Sequence, residues 1–154
     1  MEDIDFGMRL KRSGGRILLD PSIQVQHRKG WTLGSLIRMD IFQRALPWSR
    51  LILRSGEGFP NDLNVRLDQR LSAGLACLAV SAAAIGWWIP ALLCVTAVCL
   101  VGVVILNRGF YHFLLIRKGW GFTAAAFGLH LVHFLCSCFG FGLALVERLK
   151  NSGG

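Results

Sequence analysis

Two stretches of this chain, residues 71–106 and residues 119–146, contain no Asp, Glu, Lys or Arg. Both exceed the roughly 18 apolar residues that mark a membrane-crossing helix. An uncharged run of that length has no polar face to turn toward water, so the pattern predicts a membrane protein. The overall figures agree, with 53% hydrophobic residues and a mean hydropathy of +0.50. Trp87, Trp88 and Pro90 interrupt the first run as an interface and a tight turn. The sequence therefore predicts three transmembrane helices, over residues 71–89, 91–106 and 122–146. Residues 107–121 read as a basic, aromatic interfacial segment, with Phe110, Tyr111, Phe113 and Trp120 among Arg117 and Lys118. Small residues over 73–86 suit close helix contact.

The formal charge of +8 is distributed unevenly. Residues 1–70 hold twelve of the 17 Lys and Arg and eight of the nine acids, and residues 107–121 add three more basic side chains. Placing residues 1–70 in the cytoplasm puts both basic segments on the side that the positive-inside rule favours. The expected location is the cell (inner) membrane, multi-pass, with the N-terminal region cytoplasmic. A pI near 10.0 also suits nucleic-acid binders. Here the basic residues flank apolar runs, so no nucleic-acid partner is expected and the partner is the lipid bilayer. Cys77, Cys94, Cys99, Cys136 and Cys138 all lie in apolar stretches and read as small hydrophobes. His130 and His133 share a helix face near Cys136, but no carboxylate accompanies them, and packing or hydrogen bonding within the bundle is expected. Met1 is followed at once by acids, so no signal peptide is expected at this start.

Upstream of the apolar runs the pattern changes. Acids at 2, 3 and 5, bases at 9, 11 and 12, and Gly14-Gly15 predict a helix over 3–13. Residues 16–19 and 23–27 alternate as two short strands around an Asp20-Pro21-Ser22 turn. Leu33, Leu36, Ile37, Ile41 and Phe42, with Arg38, Asp40 and Arg44 between them, predict an amphipathic helix over 31–53, interrupted near Pro47. Its Trp48, Leu51, Ile52 and Leu53 suit a membrane surface. The expected organisation is a catalytic-domain end at 1–30, an interfacial helix and loop at 31–70, a transmembrane region at 71–146 and a tail at 147–154.

The acidic pair in EDIDFGMRL, the RLKRSGG that follows, RILLDPSIQVQH ending on a histidine, and the WTLGSLIRMDIFQRA helix resemble the end of the catalytic domain of family 2 glycosyltransferases. NRGFYHFLLIRKGWG between apolar runs is similar to their polytopic membrane members. The resemblance implies a mostly α chain carrying an N-terminal α/β remnant of an inverting, GT-A type catalytic domain. It implies transfer of a sugar from a nucleotide-sugar donor to a lipid-linked or other membrane acceptor. Asp3 would be the general base with Glu2 beside it, since a carboxylate ionised at neutral pH can take a hydroxyl proton. Arg9, Arg44 and Trp48 would contact substrate, and His27 would lie near a divalent cation, magnesium or manganese, on the donor diphosphate.

The family's upstream Asp-x-Asp motif and nucleotide pocket are not in this sequence. Its Gln-x-x-Arg-Trp motif is replaced by QRALPW, with Pro47 where the arginine would stand. The chain therefore reads as a C-terminal portion, inactive and without a cofactor by itself. A non-catalytic membrane anchor that recruits a separately encoded partner is the alternative reading.

Overall fold

The computed structural model describes residues 2–18, 20–25, 30–55 and 65–152. The regular structure of the described residues is all helical: α1 is Glu2–Arg12, α2 Leu33–Met39, α3 Leu46–Ser55, α4 Leu67–Ile85, α5 Leu92–Leu106 and α6 Arg108–Ser152, with a π-helical turn at Asp40–Ala45 joining α2 to α3.

Among the described residues there is no strand, which corrects the expected α/β remnant. Residues 16–18 and 23–25 have no regular structure and no ladder partner among the described residues. A strand exists only when a second one supplies its hydrogen bonds, and the alternating pattern alone cannot supply it. The turn between them does form. Asp20 Oδ1 accepts hydrogen bonds from the Ser22 backbone N–H at 2.9 Å and from Ser22 Oγ at 2.7 Å. Those two donors hold the Asp20 carboxyl below its ordinary range. α1 ends at a turn where Gly14 takes φ 81° and the Gly15 N–H reaches the Leu10 carbonyl at 2.8 Å. Among the described residues α1 makes no contact with another helical element.

The segment from α2 to α3 is nearly one continuous helix. Thr32 caps it reciprocally with Ser35: the Ser35 N–H donates to Thr32 Oγ1, and the Thr32 N–H to Ser35 Oγ. Pro47 does not break it, contrary to the expected interruption there. Proline lacks an N–H and its ring crowds the carbonyl four residues back. The chain accommodates this by widening the preceding turn, where the Leu46 N–H bonds the Ile41 carbonyl five residues back.

The expected three spans are also corrected. Among the described residues one helix, Arg108–Asn151, is long and apolar enough to cross a membrane. α5 has 15 residues, about 22 Å against the roughly 30 Å hydrocarbon core. α4 has 19, but its first turn carries Asp68, Gln69 and Arg70, which leaves an apolar portion no longer than α5. Absence of charge measures polarity along the chain; it does not measure helix length.

Within α6 the chain reverses at Gly119, whose φ of 78° and ψ of 179° lie outside the helical region and suit a residue without a Cβ. Tyr111 Oη and His130 Nδ1 are 2.8 Å apart, although 19 residues of straight helix would separate them by about 28 Å. The part before Gly119 thus folds back on the part after it, with Tyr111 edge-on to Phe127 and Phe110 edge-on to His130. The apolar stretch after Gly119 is about 40 Å long.

Ala76, Val103 and Phe134 form the buried centre where α4, α5 and α6 meet. Ser72, Ala76, Ala79 and Ala82 form the buried stripe of α4, and this small-residue face lets α5 lie close. One end of the pair is locked by polar groups. Asn107 Nδ2 donates to Ser72 Oγ at 2.8 Å and to the Val103 carbonyl at 2.9 Å, and its Oδ1 accepts from Gln69 Nε2 at 3.0 Å. Outward, Val98, Val101 and Ile105 of α5, and Trp120, Phe122 and Phe139 of α6, are exposed. An apolar belt of this extent fits a lipid surface.

Candidate functional site

The site grows from one misfit residue. Asp40 lies on the apolar stripe of its helix, three and four residues beyond Ile37 and Leu36, and its side chain is only 8% exposed. A buried carboxylate is costly unless it is paired. Asp40 is paired twice: Oδ1 accepts from Arg44 Nη1 at 2.9 Å, one π turn on, and Oδ2 lies 3.0 Å from His133 Nδ1 on α6. The Asp40–His133 hydrogen bond therefore also clamps the amphipathic helix to the apolar one.

A missing side chain permits this approach. A Cβ at Gly140 would stand 2.5 Å from Ala45 Cβ and 3.0 Å from the Leu46 nitrogen, so only glycine admits the π turn here. Further along, Arg50 grips Glu147 in a two-pronged ion pair, Nε to Oε2 at 2.8 Å and Nη2 to Oε1 at 2.7 Å. Glu147 lies just past the charge-free stretch. The Arg50 hydrogen bond holds its carboxyl below the ordinary value of 4.5.

Between these two clasps and the start of α4 lies a cleft of about 350 Å³. Its walls are mostly apolar, including Ile52, Val65, Ala73, Phe134 and Phe141. Its polar corner is the Asp40–Arg44–His133 cluster, and Gln69, Arg70 and Trp48 also line it. An apolar cavity with a few convergent polar groups is the usual form of a small-molecule or lipid site. A second, basic hollow is lined by Arg50, Arg54, Glu147 and Arg148.

The expected site residues separate into three groups. Arg44 and Trp48 both face the cleft. Glu2, Asp3 and Arg9 lie on α1, which is not packed against the cleft, and the side chains of Glu2 and Asp3 lie outside the described residues. His27 also falls outside the described residues. No group of three or more His, Cys, Asp or Glu able to hold a metal occurs among the described residues, so His130, His133 and Cys136 do not form one. Asp40, the acid in the cleft, already has its oxygens on Arg44 and His133. The described residues therefore do not build a site for the cation that the resemblance implies, and no step below runs through one.

Asp40 and His133 escaped the sequence reading as a pair. Asp40 was legible as a charge on an apolar stripe, and His133 as an ionisable group inside a charge-free run. Their 93-residue separation is bridged only by the helix crossing at Gly140. No protein family, curated protein or solved structure matches this chain.

Proposed function

We propose that this chain is the membrane-anchored, acceptor-side portion of a family 2 glycosyltransferase. Joined to a nucleotide-sugar-binding domain and its divalent cation, it would present a lipid-type acceptor to the donor sugar at the cytoplasmic face of the cell (inner) membrane. The observation that carries this reading is the cleft itself. An amphipathic helix rests on the long apolar helix, and the apolar cavity between them opens beside Arg44 and Trp48, two residues that the resemblance assigns to substrate. Asp3 would serve as the base with Glu2 beside it, Arg9 would brace that acidic turn, and His27 would lie near the metal-bound diphosphate. Bringing α1 to the cleft falls to the upstream domain.

The test is sugar transfer in membranes from cells expressing the native gene product at its natural length. A panel of radiolabelled nucleotide sugars is supplied, and label is counted in the lipid extract. Incorporation that disappears in Asp3→Asn, with the protein still present, supports the reading. Equal incorporation with and without the gene, for every donor, rejects it.

The second reading, a non-catalytic anchor for a separate partner, draws on the apolar helices and their exposed faces, which serve an anchor as well as an enzyme. It predicts a detergent-stable complex that is indifferent to Asp3→Asn.

A further inference from the structure

We propose that the Asp40–His133 pair makes the cleft a binding site for an uncharged amphiphile with a hydroxyl head, whose O–H donates to His133 Nε2 while its hydrocarbon lies along the apolar walls. This rests on the acceptor reading above and specifies the chemistry of the acceptor's polar end.

Three observations lead to it. First, the dyad has a fixed polarity. As a carboxylate, Asp40 accepts from Arg44 and can only accept, so a hydrogen bond with His133 at 3.0 Å calls for the ring proton on Nδ1. In that tautomer the lone pair is on Nε2, which makes no hydrogen bond with any described residue. The His133 side chain is 31% exposed and faces the cleft, so that lone pair is accessible. An oriented imidazole acceptor at the end of an apolar cavity fits a hydroxyl donor.

Second, the polar corner suits a neutral head better than an anion. A phosphate or carboxylate there would lie against the Asp40 carboxylate. Arg44 is committed to that carboxylate, and Arg50 to Glu147. The Gln69 amide is committed to Asn107. Arg70 also lines the cleft, and it too is engaged in an interaction of its own.

Third, the cleft lies between an amphipathic surface helix and the helix long enough to cross a bilayer, where a lipid's head and chains would naturally divide. The 350 Å³ volume accommodates the head and the first part of a chain, not a whole lipid, so the remaining hydrocarbon would extend along the exposed apolar faces.

The experiment uses the full chain in lipid nanodiscs and a diacylglycerol bearing a diazirine near the head of one chain. Labelled peptides are mapped by mass spectrometry. The inference predicts labelling within residues 44–52 and 133–141, displaced by unlabelled diacylglycerol but not by phosphatidic acid with the same chains. This competition needs no variant. His133→Ala removes the acceptor and should reduce labelling about tenfold, as loss of one buried hydrogen bond would. Ala73→Phe fills the cleft from α4, leaves the dyad in place and should also abolish labelling.

Displacement by phosphatidic acid as good as or better than by diacylglycerol overturns the inference, as does labelling unchanged in both variants. No nucleotide sugar is present, so the two readings fail separately. Transfer by the completed enzyme without diacylglycerol-selective binding rejects this inference alone. Selective binding without transfer rejects the glycosyltransferase reading alone.

Discussion

The N-terminal arm and the helical body differ in where their chemistry is visible. The arm, α1 and the non-helical residues after it, carries the most conspicuous motif in the sequence, and among the described residues it makes no contact with another helical element. The body carries its polar groups one at a time, scattered among apolar residues, and folding gathers Asp40, Arg44, Gln69, Arg70 and His133 around one cleft. Motif density and built geometry are therefore separate properties. A motif shows what a segment can do once held; burial and pairing show what is already held.

Breaking the body should have the largest effect. Gly140→Leu drives a side chain into Ala45 and the Leu46 backbone and should separate the π turn from α6, at about 3 kcal/mol or more. The expected outcome is loss of the folded monomer, or a large fall in Tm, for the purified protein in detergent. Next, Asp40→Ala leaves His133 and Arg44 without their shared acceptor and should cost about 1–3 kcal/mol. Asn107→Ala, at the junction of α4 and α5, should cost about as much, because Gln69 and Ser72 lose a buried partner. Denaturant titrations of the two variants and the double variant would show near-additive losses, since the sites share no partner.

The smallest effect is expected at the exposed Arg50–Glu147 pair, 44% exposed on both sides. The Glu147 carboxyl is depressed in the folded state by Arg50, so its contribution is present above the ordinary carboxylate value. It is lost as pH falls through the depressed one. Melts of wild type and Glu147→Gln should therefore differ at neutral pH and converge in strong acid. A gap that persists in acid would assign the effect to packing instead of charge.

Helices were the most legible part of the fold. Acids before bases and a double glycine place α1 within a residue at each end, and the apolar spacing after Trp31 finds the amphipathic helix. Three features were hidden for physical reasons. The alternation at 16–18 and 23–25 records side-chain polarity and cannot name a pairing partner. The charge-free run at 71–106 holds the last 15 residues of α4 and the 15 residues of α5, because the turn at residues 86–91 uses up part of its length. The reversal at Gly119 turns one nominal 45-residue helix into a hairpin, through a single residue whose positive φ the composition does not announce. In the site, Arg44 and Trp48 were reached through the resemblance. From sequence His133 reads only as a packing or hydrogen-bonding group, and Asp40 as one charge among the apolar positions of its helix. Only the fold shows that Asp40 is buried.

The contrast between arm and body is tested most directly by amide hydrogen exchange of the full chain in nanodiscs, resolved by peptide. The account predicts rapid exchange over residues 2–25. It predicts slow exchange over residues 34–54, approaching that of 92–106 and 127–146, because the amphipathic helix is clamped to α6 through Asp40, Ala45 and Arg50. Exchange over 34–54 as fast as over 2–25 would mean that the helix does not rest on α6, and the cleft would have no wall.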